Sequence, residues 1–129
     1  MVVKPLTFII QSAAVERVHY ALMMAAANAA LGGGVTLFFA IGTAEMLLPY
    51  EQRFGGEEDF LSKLNAANIA GGDNLLEALV ELDCRIAVCD AALAFAELKA
   101  SDLRTDLGIE VTGLTDILAK LDDGRIIYV

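Results

Sequence analysis

Residues 20–44 carry no charged side chain, and Gly32-Gly33-Gly34 cuts that stretch in two. An uncharged run of this length would span a bilayer if it were one continuous helix. Three successive glycines in its middle break it. The part before them is rich in Ala and Met, good helix formers. The part after them, VTLFFAI, is β-branched and aromatic, as expected of a buried strand. The stretch therefore reads as helix, turn and strand, with no membrane span. The opening MVVKPLTFII has too short an apolar run, and no cleavage site, for a signal peptide.

The same alternation continues along the chain. Leu6–Ile10 reads as a buried strand and Ala14–Leu31 as a long helix, followed by a second strand over Val35–Ile41. Thr43 is placed to cap a short helix through Leu48, which Pro49 stops. Tyr50–Glu58, with Gly55-Gly56, reads as a loop, and Phe60–Ile69 as a turn or two of helix. Asp73 is a fair N-cap for a helix to Leu82. Arg85–Cys89 is a third strand, and Asp90 caps a helix to about Lys99. Ser101–Leu107 is a short helical turn, Ile109–Thr112 a fourth strand and Leu114–Leu121 a helix. Asp123-Gly124 turns the chain into a last strand, Arg125–Val129.

Apolar strands alternating with helices define a parallel α/β architecture. The expected fold is a single three-layer α/β/α domain over residues 1–129, with a mostly parallel sheet of about five strands. A hydrophobic fraction of 57% supports a sizeable core. Ligands of such sheets bind at the carboxyl ends of the strands. That directs attention to Gln11–Ala14, Ile41–Glu45 and Cys89–Asp90.

Charge and residue counts exclude much. Nine Lys+Arg against 18 Asp+Glu give a net charge of −9. No basic cluster exists to hold a phosphate backbone, which argues against nucleic acid as a direct partner. Two cysteines and one histidine are too few for a structural zinc site. If Cys84–Cys89 is one strand, its ends lie roughly 16 Å apart at about 3.3 Å per residue, beyond disulfide reach. Free thiols suit a reducing cytoplasm. The chain has no C-x-x-C, P-loop, G-x-G-x-x-G or G-x-S-x-G.

The candidate for chemistry is Cys89. A thiol where a strand meets a helix N-terminus faces unpaired amides and the positive dipole end, which favour thiolate. A charged Asp90 beside it opposes this, and a lone cysteine is more often a small buried hydrophobe. Cys84, between Asp83 and Arg85, reads as incidental. His19 has no obvious partner; a hydrogen-bonded interface histidine is favoured over a base or thiol activator. Glu57, Glu58 and Asp59 read as a solvated loop.

The helix over Ala14–Leu31 has two apolar faces. Val15, Val18, Leu22, Ala25 and Ala29 share one; Tyr20, Met23, Met24, Ala27 and Leu31 lie opposite. Either a loop, such as Tyr50–Phe60, covers the extra face, or it is a subunit interface. The interface is favoured, because apolar patches this large are rare on monomers.

Three stretches carry a family resemblance: LTFIIQS with the following helix and GGGVTLFFAIGTA; RIAVCDAAL; and VTGLTDILAKLDDGRIIYV. Their order resembles the DsrE/DsrF-like sulfur-relay family, which includes the TusD-type subunits of tRNA thiolation. The likeness is loose over Pro49–Gly72. It implies that Cys89 takes the place of the cysteine that carries a persulfide in active members, and that the protein is an oligomer. The resulting expectation is a cytoplasmic sulfur carrier that takes sulfane sulfur from a donor protein and passes it to an acceptor protein. Ser12, Ala13, Gly42 and Thr43 would line the pocket with Asp90, without a metal or organic cofactor. The rivals are a non-catalytic oligomeric subunit or small-ligand-binding protein of the same fold, and a peroxide-sensing thiol protein.

Overall fold

The computed structural model describes residues 1–53 and 57–129. The expected loop glycines Gly55-Gly56 lie outside the described residues. Strand β1 is Leu6–Ile10 and is followed by helix α1, Val15–Ala30; β2 is Val35–Phe39. Two 3-10 turns, Ala44–Leu47 and Tyr50–Gln52, lead to α2 (Glu58–Ala66) and α3 (Gly72–Glu81). Then come β3 (Arg85–Cys89), α4 (Asp90–Ala96), β4 (Glu110–Thr112), α5 (Leu114–Ala119) and β5 (Arg125–Tyr128).

The strands form one all-parallel sheet in the order β4-β3-β2-β1-β5. Parallel pairing places every carboxyl end on the same edge. Strand alternation then sorts the side chains onto two faces. Phe8, Ile10, Leu37, Phe39, Ile86 and Val88 point to the larger core, where residues of α1, α3 and α4 pack on them. Ile9, Phe38 and Ala87 point to the other face and meet Ile117 of α5. The two-sided apolar strands demanded helices on both faces, and that is the architecture found.

Local chemistry explains several boundaries. Gly33 is buried, and glycine suits it because a Cβ there would come within 2.5 Å of Asn28 Nδ2 and 2.7 Å of Val3 Cγ1. Asn28 Nδ2 donates to the carbonyls of Lys4 and Gly34, each at 3.2 Å, which fixes the helix-to-strand turn. β2 ends two residues earlier than expected because Ala40–Gly42 turns the chain, with Gly42 at φ +96°. Asp73 does not cap α3. The helix starts at Gly72 with Gly71 as its N-cap, and the Asp73 carboxylate is taken by Arg53 and Arg104.

Helix α1 has the two faces expected of it. Val18, Leu22 and Ala25 are buried, whereas Tyr20, Met23, Met24 and Leu31 are exposed, Tyr20 at 67% and Leu31 at 60%. Among the described residues nothing covers Tyr20 and Leu31, and part of the Tyr50–Phe60 loop expected there, residues 54–56, lies outside them. Among the described residues no helix is long and apolar enough to cross a membrane.

Candidate functional site

Cys89 is the last residue of β3 and the N-cap of α4. The apolar run that forms the strand ends here because Asp90 and the alanines after it favour a helix. β3 is an interior strand, paired with β2 on one side and β4 on the other, so the thiol sits at the carboxyl edge of the sheet. Cys89 is half-buried and free. Cys84 is also free and stands just before the opposite end of the same strand, so the two thiols form no disulfide.

The immediate surroundings of Cys89 differ from the sequence expectation in one respect. The Asp90 carboxylate accepts the Ala91 amide at 2.7 Å, and Cys89 Sγ lies 3.7 Å from the same Oδ1 as a thiol donor. The amide of Ala91 is thus spent on Asp90, and a carboxylate rather than a bare helix terminus faces the sulfur. α4 is only seven residues long, so its dipole is short. The thiol is therefore held by a side-chain acceptor more than by the helix end.

The other expected site residues lie along the same edge, in different environments. Ser12 and Ala13 follow β1. Ser12 Oγ accepts the Ala14 amide at 3.1 Å, and its own amide donates to Val129 O at 3.0 Å. β1 lies two strands from β3, about 10 Å at the usual strand spacing. Gly42 is exposed in the turn after β2. Thr43 is fully buried, and its hydroxyl reaches Ala40 O at 2.7 Å and Ile10 O at 3.2 Å. Its hydroxyl clasps the ends of β1 and β2, a structural role. A shallow groove lined by Gln11, Ser12, Arg17, Ile41, Tyr128 and Val129 lies beside it, where the Tyr128 hydroxyl donates to Gln11 Oε1.

His19 is buried, as a hydrogen-bonded histidine should be, and its partner is within the chain. Nε2 donates to Ala70 O at 2.8 Å, and the ring meets Phe60 edge-on, with centroids 5.3 Å apart. Its hydrogen bond goes to Ala70 and its ring contact to Phe60, neither of which involves Cys89. Nothing in the one-dimensional pattern pointed to Ala70, which is 51 residues away. Glu57, Glu58 and Asp59 open α2. Glu57 pairs with Arg53 at 3.6 Å, and among the described residues no cluster of His, Cys, Asp or Glu suits a metal ion.

Sequence reasoning missed an enclosed feature on the α1 side of the sheet. A half-enclosed cavity of about 340 Å³ lies between the start of α1, the end of β2, the two 3-10 turns, α2 and the first turn of α3. Its apolar walls include Val18, Leu22, Phe39 and Leu64, and Cys89 is not among its lining residues. The α1 residues that line it, Val15, Val18 and Leu22, belong to the face expected against the sheet, so the sequence pattern did not signal it.

These features define a parallel α/β protein with a free, half-buried cysteine at the carboxyl edge of its sheet. The chain belongs to the DsrE/DsrF-like family, whose model matches residues 4–129 and which is generally linked to sulfur relay. The ychN protein of E. coli shares the fold, with a TM-score of 0.71 at 12% identity, over 98% of this chain and 99% of that one. A conserved protein of unknown function from Bacteroides thetaiotaomicron also matches, with a TM-score of 0.52 at 13% identity, over 96% of this chain and 94% of that one. No curated protein matches it.

Proposed function

We propose that this chain is a cytoplasmic sulfur carrier that holds sulfane sulfur as a persulfide on Cys89. The observation that carries this reading is the position of Cys89. A free, half-buried thiol ends an interior strand at the edge where parallel sheets bind ligands, in a chain of the sulfur-relay family. In the loading step the Cys89 thiolate attacks the outer sulfur of a donor persulfide. The donor S–S bond breaks, a new S–S bond forms on Cys89 and the donor leaves as a thiolate. In delivery, the thiolate of an acceptor protein attacks the outer sulfur and Cys89 leaves as its thiolate. The two steps involve no net oxidation. Asp90, hydrogen-bonded to the thiol, is the group placed to take the proton released on loading. Ser12, Ala13 and Gly42 would shape the edge on which partners dock. The chain acts as one domain over 1–129 and forms a homo-oligomer through the exposed face of α1.

Intact mass spectrometry after incubation with polysulfide tests the assignment. A reductant-reversible gain of about 32 Da, retained in Cys84→Ser and lost in Cys89→Ser, is expected. Retention of the adduct in Cys89→Ser would overturn it. The rival, a non-catalytic oligomeric or ligand-binding subunit, is favoured by Asp90, whose carboxylate opposes a second negative charge on the sulfur. It predicts no adduct and a Cys89 that reacts slowly with iodoacetamide.

A further inference from the structure

The strands that flank β3 leave an exposed apolar residue on each side of Cys89. β3 lies between β2 and β4. The register pairs Phe39 with Val88, and Cys89 with Thr112. It therefore sets Ile41, in the turn after β2, and Leu114, the first residue of α5, just beyond the level of the thiol. Both are exposed, as is Ala91 in the first turn of α4. On its inner side Cys89 packs against the buried cluster of Ile9, Phe38, Ala87 and Ile117.

Apolar contacts hold a partner, and charge selects it. The chain carries a net charge of −9, and the edge around Cys89 has the same sign. Each helical element that leaves this edge has a carboxylate in its first turn: Glu16 in α1, Glu45 in the 3-10 turn after β2, Asp90 in α4 and Asp116 in α5. The local reason is the positive end of a helix, which favours an acid. The joint effect is a negative rim. Asp116 is matched by Arg85 and Lys120. Among the described residues Glu16, Glu45 and Asp90 form no ion pair. Arg17, beside Glu16, is the cation set against these three. Such a rim repels an anionic partner and steers a cationic one.

We infer that the face around Cys89 receives an acceptor protein whose cysteine lies in a basic segment, with apolar side chains next to the cysteine. The inference rests on the reading of Cys89 as a persulfide carrier. In the transfer, the acceptor thiolate attacks the outer sulfur and a new S–S bond forms on the acceptor. The bond from that sulfur to Cys89 Sγ breaks, and Cys89 leaves as a thiolate, with no oxidant or reductant consumed. Ile41 and Leu114 grip the apolar residues beside the acceptor cysteine, and its lysines or arginines face Asp90.

The test loads the full chain with polysulfide, removes excess reagent and adds short peptides with a Leu-Cys-Leu core between lysines, serines or glutamates. Each transfer rate is divided by the rate of the same peptide with 2-hydroxyethyl disulfide, an uncharged reference that cancels differences in thiol reactivity. The lysine peptide should take sulfur at least about fivefold faster than the glutamate peptide at low salt, with the serine peptide between them. That ratio should fall toward one at about 1 M salt, where screening acts within about 3 Å. Asp90→Asn should lower the ratio. Ile41→Ser combined with Leu114→Ser should slow all three peptides and keep their order. Should a variant fail to fold, the ratio and its salt dependence in the wild type still decide. Equal normalised rates, a ratio indifferent to salt, or unchanged rates in the folded double variant would overturn the inference. A loaded chain that ignores peptide charge overturns this inference alone. A chain that takes no sulfur at Cys89 overturns the persulfide reading and this inference with it.

Discussion

Arg104 donates from Nη1 to Asp73 Oδ1 across 2.7 Å, tying the segment before β4 to the first turn of α3. Arg53 reaches the same oxygen from Nη2, also at 2.7 Å. The Arg104 amide donates to Leu47 O at 2.9 Å, so one arginine joins three parts of the chain. Both guanidinium side chains are close to buried, at 11% and 13% exposure. Removing the shared carboxylate would leave Arg53 without its two-pronged carboxylate acceptor and Arg104 held by Asp106 without its link to α3. Asp73→Ala should cost about 1–3 kcal/mol, read as a lower urea midpoint at unchanged slope. A midpoint equal to that of the wild type would show the network to be energetically idle.

The Arg85–Asp116 pair gives a pH dependence with a definite sign. The Asp116 carboxylate accepts from Arg85 Nη2 at 2.8 Å and from Thr112 Oγ1 at 3.0 Å, and pairs with Lys120 Nζ at 3.0 Å; Arg85 also donates to Glu110. The Arg85 guanidinium first, then Lys120 and Thr112, hold the Asp116 carboxyl well below the usual carboxylate range. A carboxyl lowered in the native state stabilises it fully above the unfolded value of about 4. That contribution is lost as the pH falls from there toward the native value. The stability gap between wild type and Asp116→Asn should therefore be constant from pH 7 to about 5 and shrink below about 4. Urea melts across that range measure it; a gap that widens in acid would refute the assignment.

The two thiols should separate by reactivity. Burial, and then the Asp83 charge, push the Cys84 thiol up from its ordinary value. Thiolate is the form that alkylates. Labelling of Cys84 by iodoacetamide should stay slow near neutrality and rise only above the ordinary thiol range of about 8.5. Peptide mapping of the labelled sites against pH gives the profile, and fast neutral labelling of Cys84 would contradict it.

The proposed oligomer has a direct test on α1. Tyr20, Met23, Met24 and Leu31 form an exposed apolar face on the helix. A charge buried in an apolar interface without a partner is strongly unfavourable. Met24→Glu should lower the mass seen by light scattering after size-exclusion chromatography while leaving the circular dichroism spectrum intact. Equal masses for wild type and variant would place any assembly elsewhere.

Local patterning carried much of the fold. β1 and β3 fall on the residues expected, because short apolar runs bounded by turn formers fix both ends. α1 differs by one residue at each end. Cys89 and the carboxyl-edge loops were also legible, since strand direction follows from the alternation of strands and helices. Asp73 misled, because capping propensity describes only a helix's own amides. Two arginines, 20 and 31 residues away, competed for its carboxylate and won. Thr43 stands at the N-cap of the Ala44–Leu47 turn as expected, but its hydroxyl makes no cap bond and donates instead to a carbonyl 33 residues distant.

The sequence by itself determined the elements, the two-faced character of α1 and the thiol at a strand end. Hydrophobic periodicity and turn chemistry act over a few residues and are written there directly. Only the tertiary structure decided the strand order β4-β3-β2-β1-β5, the hydrogen bond of His19 to Ala70 and the cavity that this histidine lines. Those depend on groups far apart in the chain, which meet only when burial of both sheet faces brings the helices together. Even Asp90's hold on the Ala91 amide, a contact between neighbours, is set by the backbone turn that leads β3 into α4.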